Sequence, residues 1–554
     1  MRSRRANLLF LMFVTACFFS LGAKQPNIVI ISASNLGYSD LGCYGSEIKT
    51  PALDKLAAEG LQFTQFYSCG NCAMSQTTLL TGQIPQRVGM GLPMVELEQK
   101  GYKGSISKAT CTMAEFLKSV GYETYMAGTW GLTRHYRIGD PSHAWPLNRG
   151  FDRFFGTIQP QACYFEPANL IMNQQPYDCG EDFYYTYEIA KEAAHFLDRA
   201  KGTGHPFFLH VSFSAPGWPL QAPEQEIKQY ALTYKYGWDS VRAERFKAMQ
   251  KLGVLSSIAK FPERDARVFD WGRVGAYAAW HARRMEVYAA QVSAMDRGVA
   301  TIMEKLKQIG VDDETIVIFL STAGASGDEL SPKTVSRSIP AKTANGEPTQ
   351  VGNVPNVQPG SKVTFQSYGV PWANVSNTPL RGYADTVYEG GISVPCIIRW
   401  NDHTEPGLVK EPTHIMDIFP TVVELSEHPF PSELKGHETL RPRGESLVPL
   451  FSIKYRLDLR TNEKKKNRYF FWECKGNAAV RYGDWKLVFP KGGQRWELYN
   501  LTADRMETTD VFIRYQKDQA VEQMIYNYEQ WKAKNRVEDW NVIQAQLKPK
   551  KKKK

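Results

Sequence analysis

Cys69-Gly70-Asn71-Cys72 is the most reactive-looking motif in the chain, a Cys-x-x-Cys. At a helix N-terminus, where the dipole lowers a thiol pKa, such a pair could run thiol–disulfide chemistry. The competing reading is free or structurally paired thiols. Cys43 as a third zinc ligand lacks a nearby histidine to complete a tetrahedral set. His135, His143, His195, His205 and His210 are scattered, and a lone histidine is more often a surface or satisfied core residue than a catalyst. Trp130, Trp218 and Trp372 could line a carbohydrate or aryl pocket, or equally pack in the core. Asn374-Val375-Ser376 and Asn500-Leu501-Thr502 are glycosylation sequons.

These residues need elements to position them. Ile28-Val29-Ile30-Ile31 is a continuous apolar run, as a strand buried on both faces would be. Thr50 as N-cap and Pro51 at the first helical position open a helix that ends before Gly60. Thr112 with Glu115 predicts a capping box, with a stop at Gly121. Strands are expected over Tyr122 to Ala127, Phe207 to Phe213 (which carries His210, with His205 in the loop before it) and Thr315 to Ser321. Helices are expected over Glu188 to Ala200 and from about Arg283 to Ile309. This alternation argues for one large α/β domain around a mostly parallel sheet. Pro332 to Val363 is rich in loop formers. After about residue 430 the pattern becomes short strands (Tyr469 to Trp472, Ala478 to Arg481, Trp485 to Phe489, Trp496 to Tyr499) and a helix from Glu522 to Lys534. A small antiparallel sheet with one covering helix should follow. The expected division is 1–23 signal peptide, 24–430 α/β domain, 431–545 small α+β domain and 546–554 basic tail.

The 554 residues are 43% hydrophobic and 22% charged, a globular composition that rules out global disorder. The net charge of +10 sits at the tips: Arg2, Arg4 and Arg5 at one end, Lys548 and Lys550 to Lys554 at the other. Removing them leaves about +1, so the body offers no phosphate-tracking face and no nucleic-acid partner is expected. Basic Met1 to Arg5, apolar Ala6 to Leu21 and then Gly22-Ala23 read as an export signal cleaved after Ala23. Val14-Thr15-Ala16-Cys17 also resembles a bacterial lipobox, which would make Cys17 a lipidated N-terminus. No later window holds the ~18 apolar residues of a transmembrane helix. The expected location is periplasmic or extracellular.

Pro26 to Ser34, Leu36-Gly37-Tyr38, Leu41 to Gly45, Thr50 to Asp54, Leu79-Leu80-Thr81-Gly82, Ala215-Pro216 and Tyr388-Glu389-Gly390-Gly391 resemble a sulfatase. Arg283 to Tyr288 and Pro371 to Asn374 look like the longer bacterial arylsulfatase subgroup, and Ala479-Val480-Arg481 with Trp485 to Val488 like that family's small C-terminal domain. The resemblance covers nearly the whole chain and implies an alkaline-phosphatase-like α/β fold. The family's chemistry is sulfate-ester hydrolysis. It uses calcium held by carboxylate and amide oxygens, a formylglycine made from the Cys or Ser of a Cys/Ser-x-Pro-x-Arg motif, cationic groups on the sulfate oxygens, and an acid for the leaving alkoxide.

This chain departs from that pattern at almost every position the resemblance picks out. The calcium positions are Ser34, Asn35, Thr322 and Ala323, where the family has Asp-Asp and Asp-Asn. Cys72 keeps the nucleophile position, but Met74 and Gln76 replace the motif's Pro and Arg. Thr129 and Gly131 stand for a lysine and a histidine, Gly217 for a second histidine, and Ala384 for a further lysine. The flanking residues Leu36-Gly37-Tyr38, Trp130, Trp218, Gly324 and Glu389 remain family-like. The scaffold is kept while the chemistry is removed. The first reading is therefore an inactive sulfatase homologue, natural or engineered, retained to bind an unidentified ligand or protein partner and expected to need no cofactor. The alternative is an arylsulfatase-type hydrolase acting on extracytoplasmic sulfate esters through unexpected residues, which would need a replacement cluster of Asp and Glu. A Cys-x-x-Cys redox protein, ranked third, would show a depressed Cys72 pKa.

Overall fold

A computed structural model describes residues 25–160, 163–334, 336, 339–461 and 467–548. The expected signal peptide, the lipobox with Cys17, and the tail beyond residue 548 lie outside the described residues.

The central sheet is mixed α/β and mostly parallel. Its strand order is Gly407–Val409, Leu61–Tyr67, Ser393–Arg399, Thr315–Ser321, Asn27–Ala33, Phe207–Ser212, Glu123–Thr129, Arg153–Thr157, Leu170–Met172, Gln175–Pro176, with Thr413–His414 also on the Leu61–Tyr67 strand. Asn27–Ala33 lies between two parallel neighbours, Ile30 opposite His210 on one side and Ile318 on the other. Every residue of that strand is buried. Its side chains alternate between two cores: Val29 and Ile31 enter the one under the long helix Ala278–Gln308, while Ile28 and Ile30 enter the one on the opposite face. Helices cover both faces, which is why the run is apolar without alternation. Ser393–Arg399 departs from the parallel pattern, running antiparallel to both its neighbours.

The local signals place their elements well. Thr112 and Glu115 form the expected capping box at the start of Met113–Ser119. The long helix begins at Ala278, five residues before its expected start at Arg283, and runs for 31 residues. Thr50 does precede Pro51–Ala58, but its side chain caps no backbone N–H of that helix. Its hydroxyl donates to Asp54 Oδ1 and accepts from the Gly42 N–H instead.

The second sheet is antiparallel, with Tyr469–Cys474, Asn477–Tyr482, Trp485–Phe489 and Glu497–Asn500 in consecutive order. One face packs Val480, Leu487 and Leu498 against Val521, Met524 and Tyr528 of the helix Gln519–Lys534. The other face sends Phe470, Trp472, Ala479 and Val488 into the core beneath the large sheet. Period-2 alternation thus gives this small sheet a separate partner on each side.

Candidate functional site

The ends of four parallel strands bring the expected positions together. Ser34 and Asn35 follow Asn27–Ala33, Thr129 ends Glu123–Thr129, Thr322 and Ala323 follow Thr315–Ser321, and Gly217 follows Phe207–Ser212. Carboxyl ends of parallel strands are where open α/β sheets place their ligand sites. Cys72 is the first residue of the helix Cys72–Thr81, whose N-cap Asn71 accepts from the Met74 N–H.

Three of these positions are in direct contact. The Cys72 thiol donates to Asn35 Oδ1 at 3.2 Å, and the Ser34 hydroxyl donates to Cys72 Sγ at 3.4 Å. Thr322 donates to the Ala33 carbonyl at 3.0 Å, and Ala323 is completely buried. One turn along the helix from Cys72, the Gln76 amide donates to the Thr129 carbonyl and to Ser212 Oγ, both at 3.3 Å. Asn35 has φ 54°, in the left-handed region that an amide side chain tolerates. Ser34, Asn35, Cys72, Gln76 and Thr322 thus spend polar atoms on one another, on Ser212 or on main chain, while the buried Thr129 hydroxyl has no partner among the described residues.

The glycines tell a complementary story. Gly217 has φ 122°, its N–H donates to Gln291 Oε1 at 3.0 Å, and a Cβ there would meet nothing within 4 Å. Gly131 has φ 72°, and its Cβ would come to 3.3 Å from Pro160. Both stand where a histidine side chain was expected, in a backbone conformation that favours glycine. Ala384 is held by its N–H to the Ala325 carbonyl.

Sequence reasoning missed the charged rim. Asp385, next to Ala384, accepts from Asn71 Nδ2 at 2.7 Å and pairs with Lys475 of the antiparallel sheet at 2.5 Å. Asn71 was legible as an N-cap type before a helix. Nothing local announces a contact that spans 90 residues.

The thiols are not poised for redox work. Burial raises the Cys72 pKa, with Ser34 and Thr322 only partly opposing it, and burial lifts Cys69 to about 11. Cys69 donates to Thr78 Oγ1 rather than pairing with Cys72, and all eight described cysteines are free. That overturns the depressed thiol the redox reading needs. Among the described residues no group of three or more His, Cys, Asp or Glu is placed to hold a metal. His210 is completely buried beside Ser32 Oγ, and burial lowers its pKa to about 3. His195 pairs with Glu192 on an exposed helix face. Trp130 and Trp372 are core residues whose indole N–H groups donate to the carbonyls of Ala144 and His281, whereas Trp218 is only part-buried. Asn374, in the first sequon, is buried in a helix.

A sequence model described as Sulfatase matches residues 26–428, well over half of the chain. The chain belongs to the sulfatase family. A second model, N-sulphoglucosamine sulphohydrolase, C-terminal, matches residues 382–534 and so includes the antiparallel sheet. An uncharacterised sulfatase of Schizosaccharomyces pombe is 31% identical over 521 residues, covering 88% of this chain and 90% of that protein. The arylsulfatase of Klebsiella aerogenes is 30% identical, covering 78% of this chain and 93% of that enzyme. Among solved structures, Ps i-CgsB in complex with k-i-k-neocarrahexaose superposes with TM-score 0.65 at 23% identity, covering 95% of this chain and 98% of that one. The putative sulfatase yidJ of Bacteroides fragilis superposes at TM-score 0.60 and 18% identity, covering 92% and 96%. The fold is the alkaline-phosphatase-like α/β fold of sulfatases. No helix among the described residues is long and apolar enough to cross a membrane.

Proposed function

We propose that this sulfatase-family chain is an exported, non-catalytic member, kept as a binding or scaffold protein. One observation carries the reading: the Cys72 thiol is held by Asn35 Oδ1 and Ser34 Oγ, with no carboxylate in that cradle. Calcium takes six to eight oxygens, and anionic ones supply most of the affinity. The family's calcium positions here offer two hydroxyls, one amide and a methyl, and the amide oxygen already accepts from the thiol. The donor set does not fit the ion.

The nucleophile position supports the same reading. Met74 and Gln76 break the motif that directs conversion of Cys72 to formylglycine. An unmodified thiol whose pKa is raised by burial stays protonated near neutral pH. Gln76 offers an amide where a guanidinium fork would grip sulfate oxygens, and that amide is committed to Thr129 and Ser212. The alternative, a working arylsulfatase, would need a replacement acidic cluster, and the described residues supply none able to hold a metal.

The test is the full-length protein expressed with the formylglycine-generating enzyme. Peptide mass spectrometry should find Cys72 as a thiol. Because a native-state ligand raises stability by RT ln(1 + [L]/Kd), melting curves in EDTA and in millimolar calcium should coincide. A chromogenic aryl sulfate should turn over at background rate. Turnover that disappears in Cys72→Ala would sink the proposal.

A further inference from the structure

The far end of the helix Cys72–Thr81 gathers positive charge that the Cys72 cradle does not use. That helix stops at Gly82, whose carbonyl accepts from the Arg443 N–H at 2.7 Å. Pro442 packs so closely there that a Cβ on Gly82 would come to 2.6 Å from it. Arg87 lies just beyond, in the short turn Pro85–Val88, and its carbonyl accepts from Arg536 Nη1 at 3.1 Å. Arg536 follows the helix Gln519–Lys534 that covers the antiparallel sheet. Arg87 and Arg443 are half-buried and Arg536 is exposed, so solvent reaches the group. The ten residues of the helix, at about 1.5 Å rise each, set this seam roughly 15 Å from the cradle.

The three arginines act on one another and not on an anion. Burial lowers the Arg87 pKa and the charge of Arg536 lowers it further; Arg443 is lowered by burial and then by the charge of Arg87. No carboxylate opposes either shift, and none among the described residues forms an ion pair with any of the three. The acidic groups on adjoining segments are committed elsewhere. Asp417 takes both arms of Arg468 at 2.6 and 2.9 Å, Glu473 takes the Gln86 amide at 2.6 Å, and Asp539 takes Lys532. The C-terminus of the helix carries about half a negative charge, too little for three cations. An anion seated among them would turn the repulsion into attraction.

A second observation comes from Gln83. It is completely buried, and its amide nitrogen donates to the carbonyls of Leu440 and Arg441 at 3.2 and 2.6 Å, while its Oε1 has no donor. An unmet acceptor therefore lies beside the segment that carries Arg443. Guanidinium forks match tetrahedral oxyanions. A carboxylate would bring one negative charge, whereas phosphate brings about 1.5 to 2 near neutral pH. Hydrogen phosphate also carries the O–H that the Gln83 oxygen needs, and sulfate does not. Three arginines can fix one phosphate group without tracking a nucleic-acid backbone, in keeping with the nearly neutral body of the chain.

We propose that Arg87, Arg443 and Arg536 form a phosphate-binding site where the antiparallel-sheet unit meets the large one, remote from the Cys72 cradle. The site does not depend on whether the cradle is catalytic.

The test is calorimetric titration of the full chain with sodium phosphate at fixed ionic strength, alongside melting curves. Phosphate should bind and raise the melting temperature, as a native-state ligand does. Sodium chloride at the same ionic strength should not raise it, and sodium sulfate should bind more weakly. Glucose 6-phosphate distinguishes the free ion from the same group on a larger molecule by which of the two binds more tightly. Arg87→Gln and Arg443→Gln should each weaken phosphate binding about 10- to 100-fold, the effect of losing a charge-assisted hydrogen bond. Arg536→Gln, at an exposed residue, should weaken it several-fold and gives the reading if the other two variants fail to fold; Arg536→Lys should retain part of the affinity. Absence of phosphate binding, binding unchanged in Arg87→Gln and Arg536→Gln, a rise in melting temperature matched by chloride, or sulfate binding as tightly as phosphate would overturn the proposal.

Discussion

Two buried polar regions of this molecule treat charge in opposite ways. Ser34, Asn35 and Thr322 around Cys72 are neutral and bond to the thiol or to main chain, with the Asp385–Lys475 pair only at the rim. Where the antiparallel sheet meets the large one, Lys486 sits completely buried between Glu389 and Glu507, 2.8 Å from each. Tyr67 donates to Glu389 at 2.9 Å, and the Glu389 N–H donates to Glu507 at 2.7 Å. Burial lifts the Glu507 carboxyl to about 7 despite Lys486. For Glu389 burial is outweighed by Lys486, Arg505 and Arg481, and its pKa is lowered. Charge is kept where the chain itself holds the partner permanently. It is missing at Ser34, Asn35, Gln76 and Thr322, the positions at which the sequence resemblance implies a metal ion and a sulfate group.

The sharpest way to break that contrast is to remove the central cation. Lys486→Met leaves two carboxyls facing each other in the interior and should cost about 3–5 kcal/mol, read as a lowered urea midpoint. A loss under about 1 kcal/mol would mean the cluster is no more committed than the cradle.

A third carboxyl in the same seam should respond to pH. Glu473 is buried, accepts from Gln86 Nε2 at 2.6 Å and from the Gly476 N–H at 2.9 Å, and burial raises it to about 7. With a folded pKa above the unfolded one, the native state holds the extra proton between about pH 4.5 and 7. Stability from this group is therefore full below that window and declines as pH rises through it. A shift of that size corresponds to about 3 kcal/mol. Denaturation from pH 5 to 8 should show the decline in the natural chain and a shallower one in Glu473→Gln, where Glu507 still contributes; equal slopes would refute the assignment.

In the cradle the expected effects are smaller. Gly217→His has open space for the side chain, but φ 122° should cost about 1–3 kcal/mol of backbone strain, visible as a lower melting temperature. Unchanged stability would mean the loop relaxes freely. Restoring the histidine of an active relative therefore needs a local change of backbone as well as of side chain. The smallest effect is Ser34→Asp alone. One carboxylate neither completes a calcium cage nor makes a nucleophile, and catalytic groups act as a unit. Aryl sulfate turnover should stay at background, and calcium should leave the melting curve unmoved; a response to either would show that the cradle is closer to active than its contacts imply.

Much of this was legible along the chain because the signals are local. The apolar run at Ile28 to Ile31, the capping box at Thr112 and Glu115, and the hairpin strands after residue 469 each depend on a few neighbouring residues, and they fold as read. The neutrality of Ser34, Asn35, Gln76, Thr129 and Thr322 is likewise a property of composition at fixed positions, visible without coordinates. What those groups do with their hydrogen bonds was not. That Asn35 accepts from the Cys72 thiol, that Asp385 turns to Lys475, that Ser393–Arg399 inserts antiparallel into a mostly parallel sheet, and that Lys486 meets Glu389 across 97 residues are all outcomes of long-range packing. Residue type limits which bonds a side chain can make. Only the folded chain, closing loops of tens to hundreds of residues, decides which partner arrives.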